Sequence, residues 1–217
     1  MNHSSEQCSE LFFKTLGLLF LNGPGEENVK LLTLGLENCR QCGLISQEEY
    51  EELSKQLDLQ ALGRDYGSLF CLGSSSLSLY ESVWLTGLAM QEPRDELRKI
   101  LRACGLKPNT DSNEPEDHIG FIYYCIGMLL ERRLSKEETL SQSEDLHLLR
   151  EAVSHLEWTR LLADVISDRH AGNFYSNIVS VANRLAKQLV IMRTGRIIHP
   201  KITFCDLMIW QFTSRII

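Results

Sequence analysis

Prolines are scarce, five in 217 residues, and strict apolar–polar alternation is scarcer still. Spacing near 3.6 residues dominates instead, which argues against a strand-based architecture and predicts an all-α fold. Long hydrophobic runs are missing too: Ile119 to Leu130 carries no formal charge, but its about twelve residues fall short of the roughly 20 that a bilayer span needs. A buried central helix is expected there, and no stable membrane insertion. Cations are outnumbered, 22 Lys and Arg against 29 Asp and Glu for a net charge of −7, which opposes nonspecific nucleic-acid binding and suits a basic partner.

Catalytic signatures are equally sparse. Neither GxxxxGK(S/T) nor GxGxxG is present to cradle a phosphate, and no GxSxG elbow exposes a serine nucleophile. His3, His147, His155, His170 and His199 show neither HExxH nor another ligand spacing. The start, Met1 to Gln7, lacks the cationic stretch of an export signal, and the apolar run Leu11 to Leu21 is interrupted by Lys14. Seven cysteines, an odd and scattered set, read as reduced thiols of a cytosolic protein. Cys39-Arg40-Gln41-Cys42 is a lone CxxC without a partner pair, and reads as two helix-end cysteines.

What remains is a chain of 43% hydrophobic and 24% charged residues, ordinary for a single soluble domain. About nine to eleven helices are expected. The first stops at Asn22-Gly23-Pro24-Gly25, and a second runs from about Glu26 to Cys39. Ser46-Gln47-Glu48-Glu49 has the form of a capping box that starts a short acidic helix, and another helix runs from about Leu57 to Phe70. Gly73-Ser74-Ser75-Ser76 then breaks the pattern, and beyond it come Leu77, Leu79, Tyr80, Val83 and Trp84. A helix from about Arg94 ends near Gly105, where glycine tolerates positive φ. After the central helix, Ser135-Lys136-Glu137-Glu138 offers a second capping box, followed by long helices over about 144–168 and 172–193. The expected compact domain spans 1–193. The segment 194–217, rich in Ile, Phe, Leu, Met and Trp, is too apolar to be solvated and must pack on the domain or on another chain.

Polar groups concentrate at the mouth of the central helix, in Asn113-Glu114-Pro115-Glu116-Asp117-His118-Ile119-Gly120. Asn113 fits an N-cap, Pro115 the first turn, and Glu116 and Asp117 the positive helix end. Asp117 and His118 are open to four readings: an acid/base pair, metal ligands, recognition of a cationic peptide, or capping. Adjacent helical positions diverge by about 100°, which counts against convergence on one metal ion or a direct Asp–His relay. Tyr66, Phe70, Tyr80 and Trp84, beside Asp65 and Glu81, read either as core or as a groove for an apolar, cationic peptide.

These segments resemble a known family. Glu114-Pro115-Glu116-Asp117-His118 is similar to the E-P-x-D-H signature of the TorD/DmsD/NarJ group of redox-enzyme maturation chaperones. Asp65-Tyr66-Gly67-Ser68-Leu69-Phe70 resembles the group's D-Y-x-x-L-F, Tyr80-Glu81-Ser82-Val83-Trp84 its Y-x-S stretch, and Phe174-Tyr175 its late aromatic pair. His155-Leu156-Glu157-Trp158 is similar to H-L-x-P-W, one residue shorter and without the proline. The resemblance covers about residues 10–190. It implies a cytoplasmic, non-enzymatic chaperone, monomeric or homodimeric, with no cofactor of its own. Such a protein binds the twin-arginine signal peptide of a molybdenum-containing oxidoreductase and holds the precursor until its cofactor is loaded. On that reading Asp117, with Glu114, Glu116 or Glu81, meets the arginines. His118 sets the local hydrogen-bond geometry, and Tyr66, Phe70, Tyr80 and Trp84 line the groove. The alternatives are a small metal-binding protein or enzyme using Asp117 and His118, and an oligomerising interaction module.

Overall fold

A computed structural model of the protein describes residues 5–106, 114–135 and 140–194. Among these residues every regular element is helical. They run α1 Ser5–Asn22, α2 Glu26–Gln41, α3 Gln47–Lys55 and α4 Leu59–Tyr66, which continues into a π-helical turn, Gly67–Cys71. Then come α5 Glu81–Thr86, α6 Glu92–Ala103, α7 Ile119–Leu134, α8 Leu140–Ser154, α9 Thr159–Arg169 and α10 Phe174–Thr194. The expected all-α domain is what forms.

Its axis is the pair α1 and α7, with α2 against the other side of α1 and α8 against α7. Gly17 lies where α1 and α7 cross most tightly. A Cβ there would sit 2.6 Å from the Gly120 carbonyl oxygen and 2.7 Å from the Tyr124 backbone nitrogen. Gly127 meets Lys14 and Gly35 meets Phe12 at similar range. With the backbones this close, Phe13 and Phe20 of α1 pack on Tyr123 of α7 at ring-centroid distances of 6.2 and 6.0 Å, and Phe12, Leu16 and Leu19 of α1 and Ile122, Ile126 and Leu129 of α7 are fully buried with them. Each such side chain contributes about 1.5–3 kcal/mol. A buried ion pair, Glu6 to Arg133 at 3.2 Å, closes the far end of the same pair of helices.

Local signals set several boundaries. Ser46 and Glu49 form the expected capping box, with Glu49 N–H donating to Ser46 Oγ at 3.1 Å and Ser46 N–H to Glu49 Oε2 at 2.9 Å. Gly105, at φ 76°, ends α6. Other expectations are corrected. The helix expected over about 144–168 is two helices, α8 and α9. Tight turns from Leu156 N–H to Val153 O and from Thr159 N–H to Leu156 O interrupt the ladder. No proline does this; His155 is drawn to Glu81 and Trp158 to Trp84. Ser135 is the C-cap of α7 rather than the start of a capping box. The rest of that expected box, Asn113 and the tail from 195 onward lie outside the described residues.

The central helix also begins later than expected. His118 is its N-cap, so Pro115, Glu116 and Asp117 precede α7 instead of filling its first turn. Pairing with the chain before α5 is the cause: Ile119 N–H donates to Leu79 O at 2.8 Å and Glu81 N–H to Asp117 O at 3.0 Å, an isolated antiparallel bridge centred on Tyr80 and His118. Extended backbone is needed for that exchange. The reduced-thiol expectation is corrected at two positions, since α1 and α2 bring Cys8 to Cys42 and the two are disulfide-bonded. Cys39 stays a buried thiol donating to Cys8 O at 3.4 Å, so the CxxC cysteines do not pair with each other.

Candidate functional site

The Tyr80–His118 bridge joins the two segments singled out in the sequence. It places residues 114–118 against the start of α5. The first turn of α5 has no cap from its own N-cap residue, Tyr80. Asp117 supplies it from across the bridge: Oδ2 accepts from Ser82 N–H at 3.0 Å and from the Ser82 hydroxyl. A carboxylate at the N-terminal pole of a helix is favoured by charge as well as by the hydrogen bonds. Asp117 is 0% exposed, and its second oxygen, Oδ1, has no hydrogen-bond partner. A buried, half-satisfied carboxylate is costly, by about 1–3 kcal/mol or more for a charged group.

His118 is also turned inward. Its Nδ1 accepts from Gly120 N–H at 3.1 Å, so the neutral ring carries its proton on Nε2. Burial pushes its pKa down to about 4, against the pull of Glu114 and Asp117. The Tyr80 ring stands edge-on to the imidazole at 5.3 Å, and the Tyr80 hydroxyl donates to Glu114 Oε2 at 2.6 Å. Burial and then that hydrogen bond raise the Tyr80 phenol above its ordinary range. Glu114 is exposed and lies within electrostatic reach of Tyr66 as well.

The remaining acids are occupied by their own chain. Glu116 is buried between Arg94 and Arg98 of α6, at 2.7 and 2.6 Å. Burial opposes its ionisation, but the hydrogen bonds from Arg98 and Arg94 win and hold it at about 2. Glu81 is buried and accepts from His155 at 2.6 Å. Burial raises its pKa and the histidine works against that rise.

The aromatic residues fall into separate groups. Tyr66 and Phe70 pack with Phe20 and Tyr175 at centroid distances of 5.3–6.0 Å, and the Tyr66 hydroxyl donates to Phe20 O at 2.8 Å. Trp84 stacks on Trp158 at 5.9 Å and donates from Nε1 to Ser78 O at 2.8 Å. Tyr80 joins the acidic segment directly. Beside these groups in the chain stand exposed apolar side chains: Leu72 at 69%, Leu88 at 64% and Met90 at 58%.

Ser82, His155, Trp158, Arg94 and Arg98 were not among the expected site residues. Ser82, His155 and Trp158 stood inside quoted motifs, which was the available signal. The arginines gave none, because an i, i+4 pair of cations on an amphipathic helix is what any solvated face carries. Among the described residues no three His, Cys, Asp or Glu side chains converge as metal ligands, and no helix is long and apolar enough to cross a membrane.

Residues 40–161 match the family described as nitrate reductase delta subunit, more than half of the chain. The chain belongs to the nitrate reductase delta subunit family. This is the TorD/DmsD/NarJ group of redox-enzyme maturation chaperones. The match takes in the whole of the bridge, from Tyr80 to His118, and the α8–α9 break that carries His155. Among solved structures the chain is similar to a proposed redox enzyme maturation protein of Archaeoglobus fulgidus, with a TM-score of 0.53 and 20% identity over 85% of this chain and 94% of that one. At that identity the likeness is one of fold. No curated protein matches the chain.

Proposed function

We propose that this delta-subunit family member is a cytoplasmic, non-enzymatic chaperone that binds the twin-arginine signal peptide of a molybdenum-containing oxidoreductase precursor. It retains the precursor while the cofactor is loaded. The observation that carries the reading is the Tyr80–His118 bridge, which sets the exposed Glu114 carboxylate beside a half-exposed tyrosine. Along the chain from these are Trp84 and the exposed Leu72, Leu88 and Met90. A carboxylate and apolar side chains offered by the same stretch of the fold suit a peptide that is cationic at one end and apolar along its length.

Within this reading the acids divide their work. Glu114 meets an arginine first, and Asp117 offers its unfilled Oδ1 once α5 shifts. Glu116 and Glu81, already paired with Arg94, Arg98 and His155, hold the frame. Tyr66, Phe70, Tyr80 and Trp84 give the groove its aromatic wall, and His118 keeps the bridge in register. Residues 1–193 are the chaperone domain in this proposal. The apolar 194–217 packs on it or on a second chain, in a monomer or homodimer.

Calorimetry with a synthetic twin-arginine peptide tests the assignment. Glu114→Gln and Tyr80→Ala should each weaken binding about tenfold, the size of one lost charge-assisted hydrogen bond of about 1.4 kcal/mol. A peptide with both arginines replaced by glutamine should bind the wild type and Glu114→Gln equally. Unchanged affinity in both variants would place the site elsewhere.

A further inference from the structure

Cys104 and Cys125 lie 3.6 Å apart, sulfur to sulfur, outside every interaction used above. Cys104 is the C-cap of α6 and half-buried, whereas Cys125 is buried in α7. Disulfide formation needs the sulfurs to close to about 2.0 Å, a movement that a side-chain rotation of a half-exposed cysteine at a helix end can supply. Arg132 lies over the same spot. Its Nη1 donates to Ala103 O at 3.0 Å, Asp145 holds another nitrogen, and its buried Nε has no hydrogen-bond partner. A donor of this kind beside two thiols favours a thiolate. The Cys125 thiol and then Arg132 hold the Cys104 pKa below its ordinary value, while the Cys104 thiol and burial push that of Cys125 up.

We propose that Cys104 and Cys125 form a reversible oxidation site in which Cys104 is the attacking sulfur and Cys125 the resolving one. With hydrogen peroxide as oxidant, the Cys104 thiolate attacks one oxygen: an S–O bond forms, the O–O bond breaks, and hydroxide leaves to become water. Cys125 then attacks the sulfenic sulfur. The S–S bond forms, the S–O bond breaks, and the second oxygen departs as water with the proton of Cys125. Two thiols lose two electrons and two protons, and one peroxide becomes two waters. A dithiol reductant reverses the outcome.

The position gives the bond a consequence. Cys104 and Cys125 bracket the stretch that contains Glu114, Glu116, Asp117 and His118, so the bond closes a loop around the whole bridge segment. It also pins the end of α6, whose Arg94 and Arg98 hold Glu116. Among the described residues exposed Cys71 has no sulfur placed this way, and Cys8 and Cys42 are already joined. The site does not depend on which peptide the chaperone binds.

Limited peroxide treatment of the full-length native protein, followed by alkylation of free thiols and peptide mass analysis without reduction, tests it. A Cys104–Cys125 linked peptide should dominate, with Tm raised by about 5 °C or more. Amide exchange at Asp117 and His118 should slow, and dithiothreitol should undo all three changes. In Cys125→Ala the Cys104 sulfenic acid should persist and be captured by dimedone, with no rise in Tm. If the oxidised wild type carries its new link at Cys71, or if Cys104 is modified without any link to Cys125, the proposal is overturned. The wild-type arm stands even if the variant does not fold.

Discussion

The α1–α7 crossing and the Tyr80–His118 bridge meet at one residue, Gly120, and are held by opposite means. On one side the Gly120 carbonyl faces Gly17 at a distance that leaves no room for a Cβ, and the surrounding contacts are apolar. On the other its N–H donates to His118 Nδ1, the first of a set of polar contacts. The crossing buries mostly apolar side chains, with the Tyr123 hydroxyl and the Glu6–Arg133 pair as polar exceptions. The bridge buries four ionisable side chains, Glu81, Glu116, Asp117 and His118, and leaves one carboxylate oxygen unsatisfied. A region held by packing is rigid because any displacement opens a void. One held by buried polar contacts, incompletely matched, sits closer to an alternative arrangement and is where a ligand finds leverage.

Substitutions on either side of Gly120 separate the two cases. Gly17→Ala should have the largest effect, a loss of about 3 kcal/mol or more in denaturant unfolding. Its Cβ meets backbone atoms that move only if the helices part, against a helix-propensity gain of about 1 kcal/mol. A loss under about 1 kcal/mol would mean that the crossing yields easily. Asp117→Ala should cost about 2 kcal/mol, since two Ser82 donors lose their acceptor while the unsatisfied Oδ1 also disappears. Its distinguishing mark is locality: amide exchange should accelerate in α5 and not in α1. Uniform acceleration would merge the two regions into one cooperative unit.

A third test uses pH. His118 has its folded pKa lowered to about 4 from 6.5. The unfolded chain therefore binds more protons between those values, and stability present above pH 6.5 is lost as pH falls towards 4. Glu81, whose pKa is raised, acts in the other direction, contributing stability at low pH that is lost as pH rises. The net slope should amount to about 1–2 kcal/mol across the window. His118→Asn keeps an acceptor at the N-cap and should flatten the slope between pH 6.5 and 4 without changing the steeper loss below 4.5, which Glu116 supplies. An unchanged slope would assign the window to other groups. Smallest of all, Ser46→Ala should cost about 1 kcal/mol and leave peptide affinity alone, because its capping box is exposed and distant in the fold from the bridge.

Helix class, most boundaries and the acidic segment itself were legible in the chain, because periodicity, breakers and capping boxes act over a few residues. Asn22 to Gly25 ends a helix wherever it occurs, and Ser46 with Glu49 starts one. The first turn of α7 shows where such reasoning stops. Pro115, Glu116 and Asp117 would begin a helix well in isolation, yet they form a turn closed by His118 N–H on Pro115 O, because Asp117 and Ile119 exchange hydrogen bonds with Glu81 and Leu79, about forty residues upstream in the chain. The single helix expected over about 144–168 failed for the same reason, with Glu81 and Trp84 drawing His155 and Trp158 out of line. Which acid lies at the surface and which is sealed was likewise settled only by folding. Glu114 and Glu116 are two residues apart and chemically identical, but one is exposed beside Tyr80 while the other is clamped by Arg94 and Arg98. Local sequence carries the energies of single turns; partners brought together by tertiary packing decide how a carboxylate is used.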